Sequence, residues 1–259
     1  MTAPIRPPHD RQVPPLGGFN LTALGLEVRR VLRNRRTVMF ILVFPSLFFM
    51  MFGLTNRGRN VGGASAVAYI MISMGVYGAM VGTTAGGAAV AVERSLGWNR
   101  QLRLTPLHPM AYVAMKVLTA MVLGFLAVAA DYSVGALNGV RMAPNVWILS
   151  GLAAWLCSLV FAAFGLFVGF LLPSENVMQF VGPLLAILAM FGGLFIPLAA
   201  LPPLMQTIAK FTPVYGVGQI ARAPLVGGFT AVAMANVLVW TALFGVSAML
   251  LFRRDTARV

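Results

Sequence analysis

ASAVAYIMISMGVYGAMVGTTAGGAAVAV, residues 64–92, runs directly into ERSLGWNRQLRLTPL, residues 93–107, and this junction decides the fold. From Ala64 to Val92 there is no acidic or basic side chain. A helix needs about 20 apolar residues to cross a bilayer, so this run is long enough to span one. At Glu93-Arg94 the character changes abruptly. Trp98, Arg100 and Arg103 follow, and Thr105-Pro106-Leu107 closes the segment. A connection that only reverses direction needs a few polar residues. This one is helix-sized, charged and aromatic, as expected of a surface built to be held by another protein.

Composition extends the reading to the whole chain. Hydrophobic residues make up 59% and charged residues 10%, against about 25% charged in a soluble domain. Mean hydropathy is +0.86. These values define an integral membrane protein. The net charge of +13 invites a nucleic-acid partner, but the basic residues cluster at the ends of apolar segments, where they set orientation and meet anionic lipid. No nucleic-acid partner is expected. Cys157 lies alone in an apolar run, so no intramolecular disulfide is possible. Residues 1–18, with Pro4, Pro7, Pro8, Pro14 and Pro15, lack the apolar core and cleavage site of a signal peptide. They read as a retained, flexible cytoplasmic tail.

Six apolar segments emerge, at about 37–54, 64–92, 110–137, 146–172, 176–197 and 229–252. In lipid every backbone polar group must be satisfied within the segment, which makes each a helix. The fold class is therefore an all-α integral membrane protein with six transmembrane helices over residues 37–252. With six crossings, both termini share a side with the second and fourth connections. That side holds fourteen of the 19 Lys and Arg residues: Arg6, Arg11, Arg29, Arg30, Arg33, Arg35, Arg36, Arg94, Arg100, Arg103, Lys116, Arg253, Arg254 and Arg258. The other side holds Arg57, Arg59, Arg141, Lys210 and Arg222. The positive-inside rule places both termini, including the tail 253–259, in the cytoplasm of a cell membrane, as in a bacterial plasma membrane protein.

Two further elements flank the spans. Over residues 19–36, Leu21, Leu24, Val28, Val31 and Leu32 recur at helical spacing among Glu27, Arg29, Arg30, Arg33 and Arg36. This predicts an amphipathic helix in the cytoplasmic interface, with Glu27 and Arg30 able to pair at i, i+3. It serves as a lipid-facing lead-in or also touches a cytoplasmic subunit. Residues 198–228 are half apolar and cut by Pro202, Pro203, Pro213 and Pro224. Two short helices, at about 203–211 and 214–223, form a re-entrant pair on the outer side before the last span.

Gly78, Gly82 and Gly86 recur every four residues in the second segment, and Gly165 and Gly169 do so in the fourth. Such faces admit close helix approach, for packing within one subunit or for a dimer or pore-lining surface. Only Asp131 stands clearly inside an apolar run, near the outer end of the third segment, with the interface close enough to solvate it. It is a possible functional intramembrane carboxylate or a satisfied structural one. Lys116 lies near the inner end and can snorkel. Buried titratable groups suited to a proton-coupled secondary transporter are scarce, and no channel filter loop is evident. His9 and His108 are isolated, there is no metal-ligand cluster, and no nucleophile elbow occurs. No enzyme activity is expected. Neither Lys116 nor Lys210 follows a glycine, so there is no P-loop. If the chain moves solutes actively, the energy comes from another polypeptide docked on the cytoplasmic side. A short helix at about 96–104 would bring Trp98 and Leu102 together at i, i+4, rimmed by Arg94, Arg100 and Arg103.

These elements together resemble the permease subunit of type-2 ATP-binding-cassette exporters of the daunorubicin-resistance kind. The likeness covers most of residues 19–255. An interfacial helix and six spans occur in order. Glu93 ends the second span, Gly97 and Thr105-Pro106-Leu107 follow, and Leu201-Pro202 with Pro213-Val214-Tyr215 precede the sixth. Ser95 stands where the family often has a second acidic residue.

The resemblance implies a homodimer, or a pair of related permeases, each bound to an ATP-binding-cassette ATPase. ATP and Mg2+ would sit on that partner and no cofactor on this chain. Coupling would run through Glu93, Arg94, Trp98, Arg100, Leu102, Arg103, Thr105 and Pro106, with Glu27 and Arg30 of the interfacial helix. Spans two and five would face the solute path, at Gly82, Gly86, Met178, Gly182, Pro183, Met190, Phe191 and Phe195. The solute would be a hydrophobic or amphiphilic molecule such as a drug, lipid or polyketide, exported as in multidrug efflux and antibiotic resistance. The alternative is a non-transporting anchor that recruits a cytoplasmic enzyme.

Overall fold

A computed structural model describes residues 15–97 and 108–257. Asn20 starts the first helix: its backbone is extended and its side-chain oxygen accepts from the Thr22 amide at 2.8 Å, a standard N-cap arrangement. This helix, α1 (Leu21–Leu32), buries none of its residues and is the amphipathic interfacial element. It stops short of the expected 36. Arg33 and Asn34 break the chain, and Asn34 caps a new helix by accepting from the Thr37 amide. Arg35 and Arg36 therefore begin the first span.

Six helical stretches are long and apolar enough to cross a membrane: Arg35–Asn56, Ala66–Ser95, Met110–Leu137, Pro144–Leu171, Ser174–Phe191 and Ala231–Arg254. The first contains α2 (Arg35–Phe48), with Pro45 inside it, then a π-turn at Phe49–Gly53. Proline removes one helical hydrogen bond, and the wider turn follows within one helical pitch. A two-residue antiparallel ladder, β1 (Asn60–Val61) with β2 (Ala64–Ser65), leads into the second span. That span is α3 (Ala66–Ala88) continued by α4 (Val90–Ser95). The third is α5 (Pro109–Leu137), capped by His108. The fourth is α6 (Pro144–Cys157) and α7 (Leu159–Leu171), interrupted at Ser158. The fifth is α8 (Ser174–Phe191). Two short helices follow, α9 (Pro203–Ala209) and α10 (Pro213–Val226), before the last span, α11 (Ala231–Ala257).

The second span is the axis of the subunit. Of its most apolar 18-residue window 89% is buried, against 28%, 24% and 17% for spans one, five and six. Its glycines explain how. A Cβ on Gly86 would sit 2.6 Å from the Ala120 Cα, and one on Gly82 would sit 3.2 Å from the Leu123 carbonyl oxygen. A Cβ on Gly87 would lie 2.6 Å from the Ala162 carbonyl oxygen, and one on Gly165 would collide with the backbone of Thr84. Spans three and four thus touch the second backbone to backbone, which only small residues permit. The expectation that Gly82 and Gly86 face the solute path is corrected: spans one and three close over them.

Span five ends at Phe191, not at 197. Gly192 caps it, and Gly193 adopts φ +79°, a conformation that glycine adopts without strain. Phe195 therefore stands on the turn beyond the helix. The short helices follow at once. α10 is enclosed by spans two, four and six, so its backbone is covered by protein rather than lipid. Asn236 of span six fastens the pair. Its amide donates to the carbonyls of Lys210 (2.9 Å) and Thr212 (3.1 Å), and its oxygen accepts from the Gly216 amide (3.3 Å). Trp240 donates its indole N–H to the Phe211 carbonyl at 3.0 Å. Asn236→Ala strands these groups and is expected to cost about 1–3 kcal/mol, read as a lower unfolding temperature of the purified protein.

Candidate functional site

At the end of the bundle where α1 lies, five polar side chains from three elements meet. Glu93, near the end of α4, is 4% exposed. Its carboxylate accepts from the Tyr112 hydroxyl at 2.6 Å and from Lys116 and Arg30. Glu27 on α1 accepts from Arg30 at 2.7 Å and also from Lys116. Tyr112 and Lys116 lie one turn apart on span three, and the ammonium is 5.3 Å from the Tyr112 ring centroid. Burial would lower the pKa of Arg30, but the Glu93 and Glu27 carboxylates outweigh it and raise the pKa. A buried charge is tolerated only when paired and hydrogen-bonded, and here each acid bridges two cations. The cluster locks the interfacial helix to spans two and three.

Arg94 ties the same point to span four. Its guanidinium donates to the carbonyls of Gly169 (3.0 Å) and Phe170 (2.7 Å), the orphan acceptors at the end of α7. The helix then stops. Leu96 and Gly97 form a turn, with Gly97 at φ +73°, and the helix expected at about 96–104 falls almost wholly outside the described residues. Glu93, Arg94, Glu27 and Arg30 are thus brought together at the root of the 93–107 segment. Trp98, Arg100, Leu102, Arg103, Thr105 and Pro106 lie outside the described residues.

Two of these partners were not read from sequence. Lys116 does not snorkel; it is 4% exposed and points inward at two carboxylates. Tyr112 carried no expectation, although its i, i+4 spacing to Lys116 marks a shared polar face at an otherwise apolar helix end.

The second candidate feature runs along spans one, two and five. A groove of about 580 Å3 is lined by Arg36, Phe40, Phe44, Tyr77, Gly182 and Pro183, among others. On the far side a cavity of about 470 Å3 is lined by Phe48, Phe52, Arg59, Tyr69, Met74 and Phe195, among others. Four rings stand between them. Tyr77 is 5.0 Å from Phe195 and 6.3 Å from Phe44; Phe48 is 5.9 Å from Phe195 and 4.6 Å from Phe44, centroid to centroid. Gly182, Pro183 and Phe195 therefore lie on this seam. Met190 and Phe191 sit at the end of α8, Met190 exposed and Phe191 partly so. The Met178 side chain lies outside the described residues.

Asp131 is not solvated at an interface, as its position in sequence led us to expect. It is fully buried where spans one, two and three meet, and among the described residues neither carboxyl oxygen has a hydrogen-bond partner. Ser46 lies on span one, but its hydroxyl donates to the Leu42 carbonyl at 2.9 Å.

A six-span bundle with a polar clamp on one face, short helices on the other and cavities between spans defines a multi-pass membrane transport permease. Residues 21–226 match the family model described as ABC-2 type transporter, and the chain belongs to that family. It is also 32% identical over 206 residues to Putative transport permease YvfS of Bacillus subtilis (strain 168), an alignment covering 78% of this chain and 83% of that protein. Family membership implies partnership with an ATP-binding-cassette subunit.

Proposed function

We propose that this chain is the membrane-spanning subunit of an ATP-driven exporter, powered by an ATPase on a separate polypeptide that docks at residues 93–107. The observation that carries this reading is the clamp at the root of that segment. Glu93 and Arg94 fasten it to spans three and four and to the interfacial helix. A push on the segment is thereby delivered to several spans at once, which a mere direction-reversing loop would not need. Glu93 acts in this reading as an internal anchor, since its carboxylate is occupied within the chain. Contact with the ATPase falls to the side chains beyond Gly97.

The face that carries the clamp is cytoplasmic, in keeping with its excess of Arg and Lys. A hydrophobic or amphiphilic solute, such as a drug, lipid or polyketide, enters the groove beside Phe40 and Pro183. It passes the Phe44, Phe48, Tyr77 and Phe195 rings into the outer cavity when the spans rock. Spans one and five leave much of their surface uncovered, which suits a second permease copy or a related permease, with lipid around the rest. A pure anchoring protein has no use for two cavities divided by aromatic rings. Trp98→Ala with Arg100→Ala is expected to abolish co-purification of the ATPase and coupled transport while the permease stays folded. Retention of the intact complex with unchanged transport would refute the docking assignment.

A further inference from the structure

Charge on the outer side of the molecule is unbalanced. Arg222 of α10 is 1% exposed. Its guanidinium donates to the Ser73 hydroxyl (3.0 Å) and the Gly193 carbonyl (3.1 Å) and stands 4.8 Å from the centroid of the Tyr69 ring. All of these are neutral groups. The guanidinium of Arg59, exposed at the cavity, donates to the Asn56 side-chain oxygen at 3.1 Å. Arg57 donates to the Asn138 carbonyl at 2.8 Å. Among the described residues none of the three arginines pairs with a carboxylate. The carboxylate of Asp131, the acid nearest this end of the molecule, has no hydrogen-bond partner among them either. A buried guanidinium without a counter-ion is unfavourable, and at low dielectric its field reaches further than in water.

Both Arg59 and Tyr69 line the cavity of about 470 Å3, and Arg222 stands behind Tyr69. Asn56 and Asn60 add neutral hydrogen-bonding groups beside Arg59. The remaining wall is apolar, with Phe48, Phe52 and Phe195. The volume falls in the range of small-molecule sites, where an apolar lining and a few polar groups fix one orientation. A purely apolar solute would leave Arg59 unpaired, and a cation would be repelled by both arginines.

We infer that this cavity binds a single-chain amphiphile with an anionic head, phosphate or carboxylate. The head meets Arg59, Asn56 and Asn60, and the tail lies against the phenylalanines. Arg222 supplies positive potential from the second layer and also staples α10 to span two and to the turn after span five. The inference uses the solute-path reading only to place the site in a transport cycle; binding itself requires no ATPase.

The test uses the full-length permease in nanodiscs, without its partner, against empty nanodiscs. Three probes share a twelve-carbon tail: dodecyl phosphate, dodecyl maltoside and dodecyltrimethylammonium; inorganic phosphate is the fourth. Dodecyl phosphate is expected to bind at least tenfold tighter than either other amphiphile and than inorganic phosphate, and to weaken as salt rises. Arg59→Gln should reduce that preference at least fivefold without lowering the unfolding temperature, and Arg59→Lys should retain part of it. Phe52→Ala should weaken all three amphiphiles alike. Equal affinity for the three heads, or an anion preference untouched by Arg59→Gln, overturns the inference and leaves the solute-path reading standing. Inorganic phosphate binding as tightly as dodecyl phosphate overturns it in favour of a free-anion site. Loss of ATPase docking in the Trp98 and Arg100 variants bears on the proposed function alone.

Discussion

Glu93→Gln is expected to destabilise the permease by about 3–5 kcal/mol, the usual penalty for removing one member of a buried ion pair. The substitution keeps the shape and removes the charge. Lys116, buried at 4% exposure, would then share the single Glu27 carboxylate with Arg30, and the Tyr112 hydroxyl would lose its anionic acceptor. The companion variant isolates the cause. Glu93→Gln with Lys116→Met removes both partners and leaves Arg30 paired with Glu27, so most of the stability should return. Thermal unfolding of the purified variants reads both. A single variant as stable as the parent, or a double variant worse than the single, would show that the cluster is not the clamp described here.

The second large effect lies at the crossing of spans two and four. Gly165→Leu places a branched side chain where even a Cβ collides with the Thr84 backbone. Backbone cannot yield as a flexible side chain does, so the helices must separate. Thr83 and Thr84 would then lose their hydrogen bonds to the Ser158 (3.2 Å) and Phe161 (3.4 Å) carbonyls. Overpacking alone costs about 1–3 kcal/mol, and with the lost bonds the variant is expected to fail to accumulate as a monodisperse protein. Gly182→Ala is the control. A Cβ there meets nothing within 4 Å, so that variant should behave as the parent in size-exclusion profile and unfolding temperature. Equal behaviour of the two variants would contradict the close crossing.

The six spans were legible because lipid imposes a simple rule: long apolar runs without charge must be helices. The two short helices before the last span were legible from their prolines, which fix where such helices start. Other features depend on packing that no linear pattern carries. The glycines at 82 and 86 announced a close approach without saying whether the neighbour came from the same subunit, and the structure assigns it to spans one and three. Lys116 looked like a lysine free to reach the interface, because its partners lie 23 and 89 residues away in sequence. Asp131 looked close to water, yet the turn of span three aims it inward. Phe195 seemed part of a helix because apolar residues continue past Phe191; Gly192-Gly193 was the stop signal. Arg222 gave no sign in sequence that it would be enclosed by neutral groups.

The central claim is that residues 93–107 form the lever through which an ATPase moves this bundle. Cysteine cross-linking tests it most directly. In a Cys157→Ala background, Gln101→Cys is placed beyond the clamp and Arg59→Cys on the opposite face, each treated with a thiol–amine cross-linker in the presence of the ATP-binding-cassette partner. The account predicts a cross-link to that subunit from position 101, lost when the interaction is broken, and none from position 59. An intact complex that cross-links from position 59, or not at all from position 101, would contradict it.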